Sequence, residues 1–233
     1  MSTGIEGLDK IIDGGIPKGH CVLLAGACGT GKTILCQQFI FSGAEKGEGG
    51  TYIALTEPRD KVVKNLEGFS FFDQKYIEEN TVRIVDLFQD ARFRNVGLKN
   101  VEGLINIIED VIRSNNTKRL VIDSITALCE NLVEGDRIRA FIFELACRLM
   151  YLEVTSILIS EVPPQSNNYS NFGVEEFVAD GVVMLSEFER KGELIRALQV
   201  IKMRAMSHSR NKYVMKILSD GIILVPMFKS DME

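Results

Sequence analysis

The sequence is poor in the residues that build metal and redox centres. It has two histidines, His20 and His208, no tryptophan, and five cysteines (Cys21, Cys28, Cys36, Cys129 and Cys147) without a Cys-x-x-Cys pair. A structural zinc site draws Cys and His ligands from short, paired spacings, and no such spacing occurs here. An odd cysteine count without an export signal reads as reduced thiols in a reducing compartment. No stretch approaches the ~18 unbroken apolar residues of a membrane span, and the polar start Met1-Ser2-Thr3-Gly4 does not resemble a signal peptide. The expectation is a cytoplasmic protein with no membrane partner. Positive charge is also short, with 27 Lys/Arg against 32 Asp/Glu, a net charge of −5 and a pI of about 5.3. That argues against a chain devoted to non-specific binding of nucleic acid or anionic lipid. The deficit is uneven, because residues 186–233 carry nine basic and six acidic side chains, net +3, which leaves −8 for the first 185.

What is present is ordinary globular material, 45% hydrophobic and 25% charged over 233 residues, enough chain to bury a core without staples. At ~150 residues per domain the length suggests one domain or one with an appendage. Neither an internal repeat nor a linker is visible, so residues 1–233 are read as a single domain.

Short apolar runs alternate with helical patterns. Cys21–Ala25, Thr51–Leu55, Val82–Leu87, Leu120–Ile122 and Val154–Ser160 read as strands. Between them lie a helix from about Thr33 to Lys46, one opened by Pro58, and the stripes Leu104/Ile105/Ile108/Val111/Ile112 and Ile138/Phe141/Leu145/Leu149/Leu152. This alternation predicts an α/β fold with a mostly parallel central sheet and helices on both faces. After a polar loop, Pro163–Gly173, the pattern changes. Gly181–Glu189 and Leu194–Arg204 flank one hairpin turn, and Lys212–Leu218 and Ile222–Val225 flank a second at Asp220-Gly221. The C-terminal hairpins are expected to extend the same sheet.

The chemistry starts at Gly26-Ala27-Cys28-Gly29-Thr30-Gly31-Lys32-Thr33, which fits G-x-x-x-x-G-K-[ST] between a buried-strand pattern and a helix. Such a loop turns successive backbone N–H groups toward phosphate oxygens. Its lysine adds a point charge and its threonine hydroxyl can ligate Mg²⁺. A second acid should end a neighbouring apolar strand, and Asp123 after Leu120-Val121-Ile122 does so, as the Mg²⁺-side carboxylate beside Thr33. Hydrolysis also needs a group to orient or deprotonate water. Glu57, after the second strand, is the candidate base, its other reading being an N-terminal charge for the Pro58 helix. Glu161, ending the fifth strand, is a weaker candidate for contact with the terminal phosphate.

With these residues in place the chain resembles the KaiC-domain branch of the RecA-like ATPases from end to end. The opening Ser2-Thr3-Gly4-Ile5-Glu6-Gly7-Leu8-Asp9, the segment Gly14-Gly15-Ile16-Pro17-Lys18-Gly19, the run Gly173–Gly181 and Lys202-Met203-Arg204 are similar to that family's signatures. The resemblance implies a RecA-like core that binds ATP or ADP with Mg²⁺ through Cys28, Gly29, Thr30, Gly31, Lys32, Thr33 and Ile34. It implies a homo-oligomer, a hexameric ring or filament, with Lys202, Met203, Arg204, Ser207 and His208 reaching a neighbour's nucleotide in trans. Strand alternation puts Lys202 and Arg204 on one face, and an arginine supplied in trans stabilises charge on a transferring phosphoryl group. Met203 and Met206 read as packing residues.

Two departures from the family matter. Where relatives commonly carry two adjacent glutamates after the second strand, this chain has Thr56-Glu57, so hydrolysis is expected to be slow or absent even where ATP binds. Where the clock member autophosphorylates a Ser-Thr pair, this chain has Glu176-Phe177, which disfavours an autokinase. Cys28 is a small residue at a tolerant motif position or, less simply, a redox-sensitive thiol. The Pro163–Gly173 loop has no Lys or Arg to neutralise phosphates, although Tyr169 and Phe172 could stack on bases. Three functions follow: an ATPase coupling nucleotide to assembly or to an unidentified protein partner, a RadA-paralogue-like repair accessory binding single-stranded DNA, and a non-hydrolysing switch similar to the archaellum motor's KaiC-like subunit.

Overall fold

Apolar runs too short for helices and rich in β-branched residues pair side by side, and the central ones bury both of their faces. The computed structural model describes residues 1–89, 91, 93, 100–130, 135–164, 166 and 168–227. Its strands are β1 (Cys21–Gly26), β2 (Gly50–Ala54), β3 (Val82–Asp86), β4 (Arg119–Asp123), β5 (Thr155–Glu161), β6 (Gly181–Arg190), β7 (Glu193–Met203), β8 (Lys212–Leu218) and β9 (Gly221–Pro226). They form one sheet in the order β3-β2-β4-β5-β1-β6-β7-β8-β9. The expected C-terminal extension is present, with one refinement. β6 belongs to the hairpin with β7 but also lies parallel to β1, so it joins the two halves of the sheet. The remaining pairs from β3 to β1 are parallel and those from β6 to β9 antiparallel.

The helices are α1 (Glu6–Ile11), α2 (Lys32–Ala44), α3 (Arg59–Leu66), α4 (Lys75–Glu78), α5 (Val101–Ser114), α6 (Ile125–Cys129), α7 (Gly135–Tyr151) and α8 (Glu175–Val178). Strand alternation sorts the core into two layers. Val22, Leu24, Tyr52, Ala54, Val121, Ile157 and Ile159 face one cluster with α1, α2 and α3. Cys21, Leu23, Ile53, Leu120, Ile122 and Leu158 face the other, which holds the stripes of α5 and α7. Asn100 caps α5 by accepting from the Gly103 N–H at 2.9 Å, and Ser124 caps α6 by accepting from Ala127 at 3.1 Å.

Helix α2, which carries the phosphate-loop lysine, is enclosed on nearly every side, as expected of a helix without a polar face. One side meets the parallel sheet. On another, Gln38 donates to the Gly4 carbonyl at 2.9 Å and accepts from the Ile222 N–H at 2.9 Å, tying α2 to the N-terminal segment and to β9. Arg119, at the start of β4, is wholly buried against the same helix. Its guanidinium donates to Glu48 at 2.7 Å and to the carbonyls of Ser2 and Phe39 at 2.9 and 2.8 Å, and lies 4.7 Å from the Phe39 ring centroid. It passes where α2 has Gly43, so close that a Cβ there would stand 2.2 Å from Arg119 Nε.

Candidate functional site

In an open α/β sheet the carboxyl ends of parallel strands share one edge, and crevices form where neighbouring connections diverge. Here β1 sits between β5 and β6, and the loop after it opens into a cavity of about 860 Å³, within the usual range for a small-molecule site. Its lining comes from the loop, the ends of β2, β4 and β5, and the antiparallel strands.

The loop is built around positive backbone angles that glycine tolerates. Gly31 has φ +97° and precedes the first turn of α2, with its Cα facing Ile217 and Met215 at less than 3 Å from where a Cβ would lie. Thr30 is buried and donates to the Ala27 carbonyl at 2.8 Å, closing the loop on itself. Lys32 Nζ donates to the carbonyls of Gly26 and Ala27, each at 2.8 Å. Burial pulls the Lys32 pKa below its ordinary value, and the fields of Glu161 and then Asp123 oppose that pull. Cys28, Gly29, Thr33 and Ile34 also line the cavity.

Thr33 Oγ1 donates to Asp123 Oδ2 at 2.9 Å, which brings the two Mg²⁺-side residues of the sequence analysis together across 90 positions of chain. Asp123 is buried, and burial raises its pKa, against the lowering effect of hydrogen bonds from Tyr52 and Thr33 and of the Lys32 charge. Tyr52 OH donates to the same Oδ2. Burial, then the Asp123 charge, pushes the Tyr52 pKa well above its usual value. A largely buried carboxylate that accepts from two neutral hydroxyls and lies in the field of a lysine suits an oxygen-seeking cation, and Mg²⁺ is held in such sites by one or two protein oxygens plus phosphates. The residues present fit that group.

Two acids at this edge face different surroundings. Glu57 lines the cavity, but Lys61 Nζ lies 2.7 Å from its Oε1 and Asn65 donates to its Oε2 at 3.3 Å. Its carboxylate therefore closes the first turns of α3, the alternative reading of that residue. Glu161 stands beside Gly26 in the sheet register and lines the same cavity. Thr56 lies exposed between β2 and Glu57.

The cationic residues expected to act in trans do not meet this site. Gly181, which pairs with Met203, also pairs with Val22 near the start of β1, so the end of β7 lies on the sheet edge opposite the phosphate loop. Lys202 Nζ donates to the carbonyls of Glu176 and Ala179 at 3.0 and 2.6 Å. Arg204 donates to the Phe177 carbonyl and to Asp180 Oδ1, each at 3.2 Å. The two thus share one side, against α8, and burial followed by the Arg204 charge lowers the Lys202 pKa. Ser207 is exposed nearby, and His208 Nε2 is buried and has no hydrogen-bond partner among the described residues. The Met203 side chain is buried beside Gly181.

Tyr52 and Arg196 are among the lining residues that no local sequence signal marks. Tyr52 reads as a strand aromatic, and only the β2–β4 register, Ala54 opposite Asp123, carries its hydroxyl to the acid. Arg196 reads as a solvated strand residue, yet it lines the cavity and donates to the Gly29 carbonyl at 2.9 Å. Phe172 of the Pro163–Gly173 loop packs against the second core cluster while Tyr169 is exposed, and positions 165 and 167 of that loop fall outside the described residues.

The model of the KaiC ATPase family matches residues 1–228. A UPF0273 protein of Thermotoga maritima is 37% identical over 234 residues, covering 97% of this chain and 96% of its own length. The circadian clock protein KaiC3 of Synechocystis is 32% identical over 236 residues, with all of this chain matching 47% of that protein. Among solved structures, a KaiC-like protein of Pyrococcus horikoshii superposes with a TM-score of 0.85 at 37% identity, over 97% of this chain and 98% of that one.

Proposed function

The chain belongs to the KaiC family of ATPases, and from that premise we propose that it is a single-domain, Mg²⁺-dependent ATPase of the cytoplasm. Its subunits assemble into a ring or filament with ATP held between neighbours, and turnover couples to assembly or to a protein partner. One observation carries this reading. The phosphate loop with Thr33 and Asp123 lies on one sheet edge and the Lys202/Arg204 pair on the other, so both can serve one ATP only if it sits between two chains.

In that arrangement the loop's backbone and Lys32 take the phosphates, and Lys32 leaves the two carbonyls that now hold it. Thr33 and Asp123 hold the metal, which supplies positive charge against the phosphate oxygens. From the neighbour, Arg204 and the N–H that Lys202 does not spend on α8 add charge at the terminal phosphate. A carboxylate at the cavity rim, Glu57 or Glu161, receives the proton of the attacking water.

Thr56 in place of a first glutamate favours a second reading, a nucleotide switch with little turnover. The single-stranded DNA reading has no support in the charge balance, and Glu176-Phe177 offers no hydroxyl for autophosphorylation.

Co-expression of Lys32→Ala with Arg204→Ala tests the interface. Each variant alone should be inactive. The mixture should regain about a quarter of wild-type turnover, the share of random interfaces with both groups intact. A silent mixture would mean that each site is complete within one chain.

A further inference from the structure

Two carboxylates compete for the role of base, and their surroundings differ in two ways. The first is anchoring. Glu161 ends β5, with its Cα opposite Gly26 at the root of the phosphate loop. Its own N–H donates to Thr126 Oγ1 at 2.9 Å, and the next N–H, that of Val162, donates to the Gly26 carbonyl at 3.2 Å. That carbonyl also accepts from Lys32 Nζ. The backbone carrying Glu161 is therefore tied to the atoms that place the phosphate-binding lysine, whereas Glu57 lies beyond the last residue of β2 in the connection to α3. Held geometry of this kind gives a catalytic group its effective concentration.

The second difference is engagement. Glu57 is held by Lys61 and Asn65 of α3, so its oxygens must leave those partners before they can receive a water proton. Among the described residues, no ion pair or side-chain hydrogen bond engages the Glu161 carboxylate, which is exposed on the cavity.

We propose that Glu161, rather than Glu57, is the catalytic base of this chain. This rests on the ATPase reading above. The water oxygen attacks the γ-phosphorus, and the bond from phosphorus to the bridging oxygen breaks with its electron pair left on ADP. The water proton passes to a Glu161 oxygen and from there to solvent. The carboxylate that Thr56 lacks in its neighbourhood is thus supplied from the end of a different strand of the same edge.

The test compares Glu161→Gln and Glu57→Gln by phosphate release and by calorimetric titration with Mg·ATP and Mg·ADP, each protein first checked by its thermal melt. Glu161→Gln should release phosphate at least a hundredfold more slowly, within the range lost with a general base. It should bind ATP as tightly as wild type or more tightly, because a negative charge near the phosphates is gone. Glu57→Gln should lose less than tenfold in rate, and Glu161→Asp should recover part of the lost rate. Turnover by Glu161→Gln within threefold of wild type would overturn the proposal and leave the ATPase reading standing. So would a fall in ATP affinity parallel to the fall in rate, which would make Glu161 a nucleotide-holding residue. A wild type with no release above Lys32→Ala would remove the ATPase reading and Glu161's role together.

Discussion

Replacing Gly43 by alanine sets local propensity directly against tertiary packing. Alanine is favoured over glycine by up to about 1 kcal/mol in a helix, and Gly43 lies in the last turn of α2, so helix propensity alone predicts a protein at least as stable. The packing predicts the reverse. The new Cβ would stand 2.2 Å from Nε and 2.3 Å from Cδ of Arg119, a side chain that is 0% exposed and held by Glu48, two carbonyls and an aromatic face. The guanidinium cannot withdraw into water without abandoning those partners, and breaking a buried ion pair costs about 3–5 kcal/mol. The net is a loss of about 2–4 kcal/mol, or roughly 5–15 °C in Tm for a domain of this size, read by circular dichroism melts. Truncating the arginine supplies the control. In an Arg119→Ala background the space is empty, and Gly43→Ala should become neutral or stabilising. A Gly43→Ala protein melting at or above wild type would refute the reasoning, as would a penalty that persists without Arg119.

Other consequences can be measured on the same protein. Asp123→Asn should abolish Mg·ATP binding in titration calorimetry yet raise the Tm of metal- and nucleotide-free protein by a few °C, because it removes a buried charge whose hydroxyl partners can still donate to the amide oxygen. Burial raises the Asp123 pKa above the ordinary 3.8, so its protonated form favours the fold. The stabilising effect of that form is complete below the unfolded value and is lost as pH rises through the folded value. The Asp123→Asn advantage should accordingly be small near that lower limit and grow toward neutral pH, and an advantage independent of pH would contradict the assignment. Arg196→Ala should leave Tm within about 2 °C, as expected for an exposed pair, but weaken ATP binding severalfold by freeing the Gly29 carbonyl; unchanged affinity would make Arg196 a surface residue. Glu175→Gln should cost about 2–3 kcal/mol, because the buried carboxylate accepts from Ser160 Oγ and from the N–H groups of Phe172 and Val174, and an amide would set a donor against donors.

The pattern of what the sequence revealed follows from the range of each signal. Strand and helix periods are local, and β1, β2, β4, β8 and the stripes of α5 and α7 fall within a residue or two of their expected places. The phosphate loop is also local, since its glycines, lysine and threonine are contiguous. Asp123, which the structure sets beside Thr33, stood out because a strand-ending acid is a short pattern. Helices α1, α4, α6 and α8 have four to six residues, too few for a 3.6-residue period to repeat, and were not expected. Arg196 meets Gly29 across 167 positions and Tyr52 meets Asp123 across 71, distances at which only strand order decides who touches whom. Arg119 misleads for a related reason. Nothing local marks this strand-opening cation as buried, because the gap that admits it to the core is left by Gly43 on another element. The isolation of Lys202 and Arg204 from their own phosphate loop likewise appears only once β6 is seen to run parallel to β1.

The most direct measurement is phosphate release with Mg·ATP by wild type and by Lys32→Ala, with the mass of each followed by light scattering. An oligomeric wild type that releases phosphate, beside a Lys32→Ala protein that does not, is the expected result. Equal release by both, or a wild type that stays monomeric while turning over, would contradict a nucleotide site built on this loop and shared between subunits.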